Sequence, residues 1–157
     1  MNIELIVVGK TDMKEVETLV AMYAKRLNHY VRFAITTIAD VHNTKKLSEG
    51  EQKRLEGEAI LRLLTPSDYL MLLDEHGAEL RSIEFADLVE KRMSAGIKRL
   101  VFLIGGPYGF SEAVYARANG KLSLSKMTFS HQIVRAIFLE QLYRAFTILK
   151  NEPYHHE

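Results

Sequence analysis

The chain has 157 residues, 47% hydrophobic and 26% charged, which is the composition of one folded domain with a substantial core and excludes a disordered or fibrous chain. Its 21 Lys and Arg against 20 Asp and Glu leave a formal charge of +1, so any basic surface must come from local clustering or from a second subunit. There is no cysteine, which excludes disulfides and thiolate metal sites and suits a reducing cytoplasm; no apolar stretch approaches the roughly 20 residues that span a bilayer.

The opening MNIELIVVGK reads as a strand, Ile3 to Val8, ended by Gly9, and Glu4 inside the apolar run is unlike a secretory leader. Asp12 with Glu15 predicts a helix cap, followed by Val16, Leu19, Val20, Tyr23 and Leu27 at helical spacing. Val31 to Ile38 is β-rich, and the polar connection 39–46 is expected to be a mobile loop. Ser48 and Glu51 form a capping box for a helix that turns Leu55, Ile60, Leu63 and Leu64 toward the core. After the turn at Thr65-Pro66-Ser67, Tyr69 to Leu73 is a continuous apolar run, as in a strand buried on both faces, and DEHG (74–77) reads as a polar turn. Ser82 is expected to cap a helix with Ala86, Val89 and Met93 on one stripe and Gly96 as its stop. Leu100 to Ile104 is another buried strand, and Ser111 caps a helix over Glu112 to Ala118. LSLS (122–125) reads as a brief strand, KMTFS as a loop, and 131–150 as a long helix.

Strands alternating with helices predict an α/β domain over 1–157, with a mostly parallel sheet covered by helices on both faces. In such sheets ligands sit beyond the carboxyl ends of the strands, which points to DEHG, to GGPYGF (105–110) and to KMTFS (126–130). The loop at 105–110 lacks the lysine of a phosphate loop and the spacing of a dinucleotide fingerprint. Pro107 also removes an N–H that an anion cradle would use. A tight turn requiring φ > 0 and a bare backbone closing on a flat neutral group such as adenine both remain open.

Together IGGPYG, LSLSKMT, HQIVR, EQLYRA and the terminal PYH, in that order, resemble the RlmH family of SPOUT methyltransferases over essentially the whole chain. The resemblance implies an α/β fold with a deep C-terminal trefoil knot, roughly 69–157, binding S-adenosyl-L-methionine. It implies methylation of ring nitrogen N3 of a pseudouridine in large-subunit ribosomal RNA, by a cytoplasmic homodimer that prefers assembled ribosomes. Carried over by position, cofactor contacts fall on Leu73, Gly105, Leu124, Ser125, Lys126, Met127, Thr128 and Phe129. Catalytic candidates are Tyr154 and His155 in the tail, with Arg144 and His131. For His131 a capping or packing role stays open beside a catalytic one, and Thr128 or Ser130 is equally suited to cap the last helix. Arg135, Glu140 and Arg144 read otherwise as surface salt-bridging residues, Glu140 and Arg144 at i,i+4 spacing. His156 stands where the family commonly has Arg or Lys. The tail histidines and Glu157 are not expected to bind a metal, and no membrane contact is implied. Lys45, Lys46, Lys53 and Arg54 form a candidate RNA-facing patch or a solvated face. Other readings are a ribose 2′-O-methyltransferase, a non-enzymatic ribosome-assembly factor and a nucleotide-binding module.

Overall fold

The computed structural model describes residues 1–40 and 47–156. Five strands and five helices alternate along the chain: β1 (Asn2–Val8), α1 (Lys14–Leu27), β2 (Arg32–Ile38), α2 (Glu49–Arg62), β3 (Tyr69–Glu79), α3 (Ser82–Ser94), β4 (Arg99–Ile104), α4 (Glu112–Arg117), β5 (Gly120–Ser123) and α5 (Ile133–Leu149). The strands form one parallel sheet in the order β2-β1-β4-β3-β5.

The two-residue period of the strands sorts the core into two layers. Leu5 and Val7 of β1, with Leu100, Phe102 and Ile104 of β4, meet α1, α3 and α5 through Leu27, Phe85, Val89, Phe138 and Leu142. Ile6, Val8, Val101 and Leu103 point the other way, onto Ile60 of α2 and Val114 of α4. Glu4 breaks the apolar run of β1 without being left unpaired: it accepts from Arg99 Nε at 2.8 Å and from the Thr36 hydroxyl, and Arg99 also bridges to Asp68 at 2.8 Å.

Several local expectations are corrected. Met13, not Asp12, is the N-cap of α1 and makes no side-chain cap bond, while the Asp12 N–H donates to Gln132 Oε1 at 3.0 Å. Leu19, Leu63 and Met93 are exposed, their helices burying narrower stripes than the sequence pattern suggests. Arg81 rather than Ser82 flanks α3; the Ser82 hydroxyl instead donates to Gln141 Oε1 on α5. The turn expected at 74–77 lies inside β3 as an irregularity: Leu73 and Ala78 both pair with Leu122 of β5. In turn, β5 stops at Ser123, so Leu124 and Ser125 belong to the loop that follows.

The largest correction concerns Arg135, which is no surface residue but 1% exposed. Helix α5 lies between α1 and α3 and is buried around most of its circumference, so a single apolar stripe does not describe it. The Arg135 guanidinium donates to Val8 O (2.9 Å), Gly9 O (2.9 Å) and Thr11 Oγ1 (2.8 Å), and its Nε to His131 O (3.0 Å). Gln132 adds a bond to Lys10 O at 3.1 Å. Together they clamp the start of α5 to the carboxyl end of β1. Arg135→Met should leave buried carbonyls unpaired and lower stability by about 3 kcal/mol in urea unfolding at fixed protein concentration. A loss below about 1 kcal/mol would mean that the clamp carries little.

Candidate active site

An excursion within β3 and the segments that follow β4 and β5 enclose a cleft of about 530 Å³, within the usual range for small-molecule sites. The first is Leu73 with the excursion 74–77. Asp74 holds it by accepting the His76 N–H at 2.7 Å and the Tyr115 hydroxyl. Burial, aided by that bond to Asp74, pushes the Tyr115 phenol up to about 12, so it stays protonated. Gly77 closes the excursion flush against β5, where a Cβ would lie 2.6 Å from Leu122 N.

The second wall is the glycine loop after β4, and its tight-turn reading applies at Gly109. Gly109, at φ +81°, supplies the left-handed turn, and its N–H donates to Gly106 O at 3.1 Å. Gly105 and Gly106 are required by close approach instead. A Cβ on Gly105 would stand 2.8 Å from the Phe110 ring, and one on Gly106 2.6 Å from Glu56 Oε1.

The third wall is 124–129, pinned by its own serines: Ser123 Oγ donates to Ser125 O at 3.0 Å, and Ser125 Oγ accepts from Met127 N at 2.9 Å. Met127 itself is 77% exposed at the mouth. Ser130, rather than Thr128, accepts from the first N–H of α5, Ile133 N, at 3.1 Å. Leu73, Gly105, Leu124, Ser125, Lys126, Met127, Thr128 and Phe129 all line the one cleft, as does the exposed His131.

The tail is placed elsewhere. After α5, Asn151 adopts φ +54° and Glu152 N donates to Thr147 O at 2.9 Å, a left-handed C-cap that turns the chain back along its own helix. Tyr30 donates to Glu152 Oε2 at 2.7 Å and secures the turn. Glu140 Oε1 then accepts from Arg144 Nη2 (2.6 Å), Arg144 Nε (3.0 Å) and the Tyr154 hydroxyl (3.2 Å). Arg144 Nη1 lies 3.1 Å from His155 Nδ1, and its guanidinium 4.7 Å from the Tyr154 ring centre. A guanidinium can only donate, so in this contact Nδ1 is the accepting nitrogen. Burial first, then contacts with Tyr23 and Glu140, raise the Tyr154 phenol above its ordinary value, and it too keeps its proton. Among the described residues lining the cleft, none comes from this tail.

Sequence reasoning passed over Tyr115 and Glu56, and read Lys53 as part of an RNA-facing patch or a solvated face without placing it at the cleft. Lys53 and Tyr115 line the cleft; Glu56 stands behind the glycine loop, 4% exposed. Their only signal is contact across the sheet. Lys45 and Lys46 lie outside the described residues, whereas Arg54 is paired with Glu58 at 2.7 Å. Among the described residues no cluster of three or more His, Asp or Glu is placed to hold a metal ion, and no helix is long and apolar enough to cross a membrane.

A parallel α/β domain with its cleft over the carboxyl ends of three strands, closed by a C-terminal helix, defines a ligand-binding class seen in several enzyme families. Residues 1–155 match the family described as "Predicted SPOUT methyltransferase". Close relatives are the proteins named "Ribosomal RNA large subunit methyltransferase H" from Flavobacterium psychrophilum (59% identical, 100% of both chains), Christiangramia forsetii (58%, 99% of both) and Parabacteroides distasonis (58%, 100% of both). The chain belongs to the SPOUT methyltransferase family.

Burial pushes the Glu56 carboxyl above its usual 4.5, against an opposing hydrogen bond from Gln52. A carboxyl with a raised folded pKa binds its proton more tightly in the native state. Its contribution to stability is therefore full below the unfolded value and is lost as pH rises through the folded one. Glu56→Gln removes the titration and should flatten the fall in stability above about pH 4.5, read by urea unfolding across pH. A slope equal to that of the parent would contradict this environment for Glu56.

Proposed function

We propose that the chain transfers a methyl group from S-adenosyl-L-methionine to ring nitrogen N3 of a pseudouridine in large-subunit ribosomal RNA, in the cytoplasm, on assembled ribosomes and as a homodimer. The observation that carries this reading is the cleft in which eight positions matched to the family's cofactor contacts meet. The names of the relatives support the substrate class. We also propose the family's trefoil knot over roughly 69–157. In its support, the segment after β5 ends in a clamp on β1, so it crosses the carboxyl ends of β3 and β4, where the other two walls stand.

The residues present fit the cofactor. Phe110 and Glu56 fill the Cβ sides of Gly105 and Gly106, which seats the loop as bare main chain in the cleft wall, and on this reading a flat group such as adenine lies against its other side. Leu73, Leu124 and Phe129 add apolar walls. Leu73, Gly105 and residues 124–129 would hold the molecule, which supplies a methyl group already activated on a sulfonium centre. The protein's part is chiefly positioning, since the acceptor nitrogen must stand in line with that methyl carbon. The target base must be turned out of its stack to reach it.

The N3 proton must also leave. Tyr154 stays protonated and is suited to donate a hydrogen bond to the imide anion; His155 is the tail group with a free-base nitrogen, and accepting at Nδ1 requires Arg144 to release it. Glu140 lies six residues along α5 from Val134 of the cleft wall, about 9 Å of helical rise, and the tail lines none of the cleft. On this reading a second copy brings its tail to the cleft.

Ribosomes lacking the modification, separated large subunits and naked RNA would be offered with methyl-labelled cofactor, and the labelled nucleotide mapped by mass. Label at N3 of a pseudouridine, in the large-subunit RNA of assembled ribosomes, is expected; label on a ribose hydroxyl, or none, would overturn the proposal. His155→Ala should lower turnover about 100-fold. Mixing it with a cofactor-loop variant, Gly106→Val, should restore up to about a quarter of parental activity if sites are shared between copies. No restoration would place the tail and the cleft in the same chain.

A further inference from the structure

The cleft carries a cation that neither cofactor nor tail employs. Lys53 stands in the second turn of α2, half-buried, and lines the cleft beside the glycine loop. Its location follows from Glu56, which is one turn further along the same helix face and abuts Gly106. Of the acids around it, Glu49 stands one turn earlier on α2, exposed and making no ion pair with Lys53, and the others have partners of their own. Glu56 is bonded to Gln52 at 3.0 Å and is pushed toward its neutral form by burial. Asp74 is held by His76 N and Tyr115, and Glu75 lies 3.4 Å from His76 Nε2. Lys53 itself makes no ion pair or hydrogen bond among the described residues. Its neighbour Arg54, by contrast, is neutralised by Glu58. Across the cleft, Lys126 belongs to the segment assigned to the cofactor.

A half-buried ammonium that lines the cleft and makes no ion pair among the described residues fits an anion delivered by the other substrate. RNA offers one such anion per nucleotide, and a nucleotide turned into this cleft brings its own flanking phosphates to the rim. We propose that Lys53 is a positioning residue that holds an RNA backbone phosphate next to the target nucleotide, an assignment resting on the reading of the cleft as a ribosomal RNA methyltransferase site. Phosphate contacts fix register without reading sequence, so its loss affects docking rather than chemistry.

The test compares Lys53→Gln with Lys98→Gln, which makes the same charge change at the opposite end of β4, and with Lys53→Arg as the conservative variant. Methyl transfer to ribosomes is followed across salt concentrations, and S-adenosylhomocysteine affinity is measured separately. Lys53→Gln should raise KM for ribosomes about three- to tenfold, lower the salt slope by about one and leave kcat and S-adenosylhomocysteine affinity unchanged. Lys53→Arg should restore KM, and Lys98→Gln should match the parent. Equal KM and salt slope in Lys53→Gln and parent would overturn the assignment. So would weakened S-adenosylhomocysteine binding, which would place Lys53 on the cofactor carboxylate. A parent that methylates no ribosomal substrate would overturn the underlying reading as well.

Discussion

Two side chains at the start of α5, Gln132 and Arg135, make five hydrogen bonds to residues 8–12 at the end of β1. This junction joins the last helix to the first strand across the sheet, and the cleft depends on it. Residues 124–129 are suspended between the register of β5 on β3 and this clamp. The packing of α5 between α1 and α3 holds the body of the helix, and the clamp fixes its first turn, where the third wall ends. Burying a guanidinium is costly, and desolvation does lower its pKa, but its donors meet carbonyls that the end of a strand leaves open.

The same economy of main-chain contacts recurs in the cleft. At Gly77, Gly105 and Gly106 the missing Cβ lets a loop lie directly on another segment: on β5, on Phe110 and on Glu56. A site built from backbone at such close range is shaped by the fold more than by its side chains. Charge is concentrated at the rim and in the tail, where Glu140 and Arg144 hold Tyr154 and His155 in one bonded group. A tail so ordered before any ligand arrives loses little further entropy on meeting an active site.

Much of this was legible in the chain. The apolar runs at 3–8, 69–73 and 100–104 are strands because a parallel sheet covered on both faces buries consecutive residues, and the segments after β4 and β5 line the cleft where the carboxyl-end rule pointed. The Ser48 and Ser111 caps form where the spacing placed them. What stayed hidden depends on partners distant in sequence. The excursion at 74–77 is defined only by pairing with β5, and Ser82 is diverted by Gln141. An arginine in a helix reads as a surface residue until the helix proves to be enclosed, as at Arg135. Glu56 and Lys53 gain their meaning from a loop some fifty residues away. For the whole domain, motif resemblance carried the functional expectation further than periodicity.

The account turns on adenosine lying against bare backbone in a cleft completed by a second copy, and a crystal structure with bound S-adenosylhomocysteine tests it most directly. It should show the adenine packed on Gly105 between Leu73 and residues 124–129, with Tyr154 and His155 of a neighbouring copy facing the sulfur. Ligand bound away from the Gly105 loop, or a tail from the same chain reaching over it, would contradict the account.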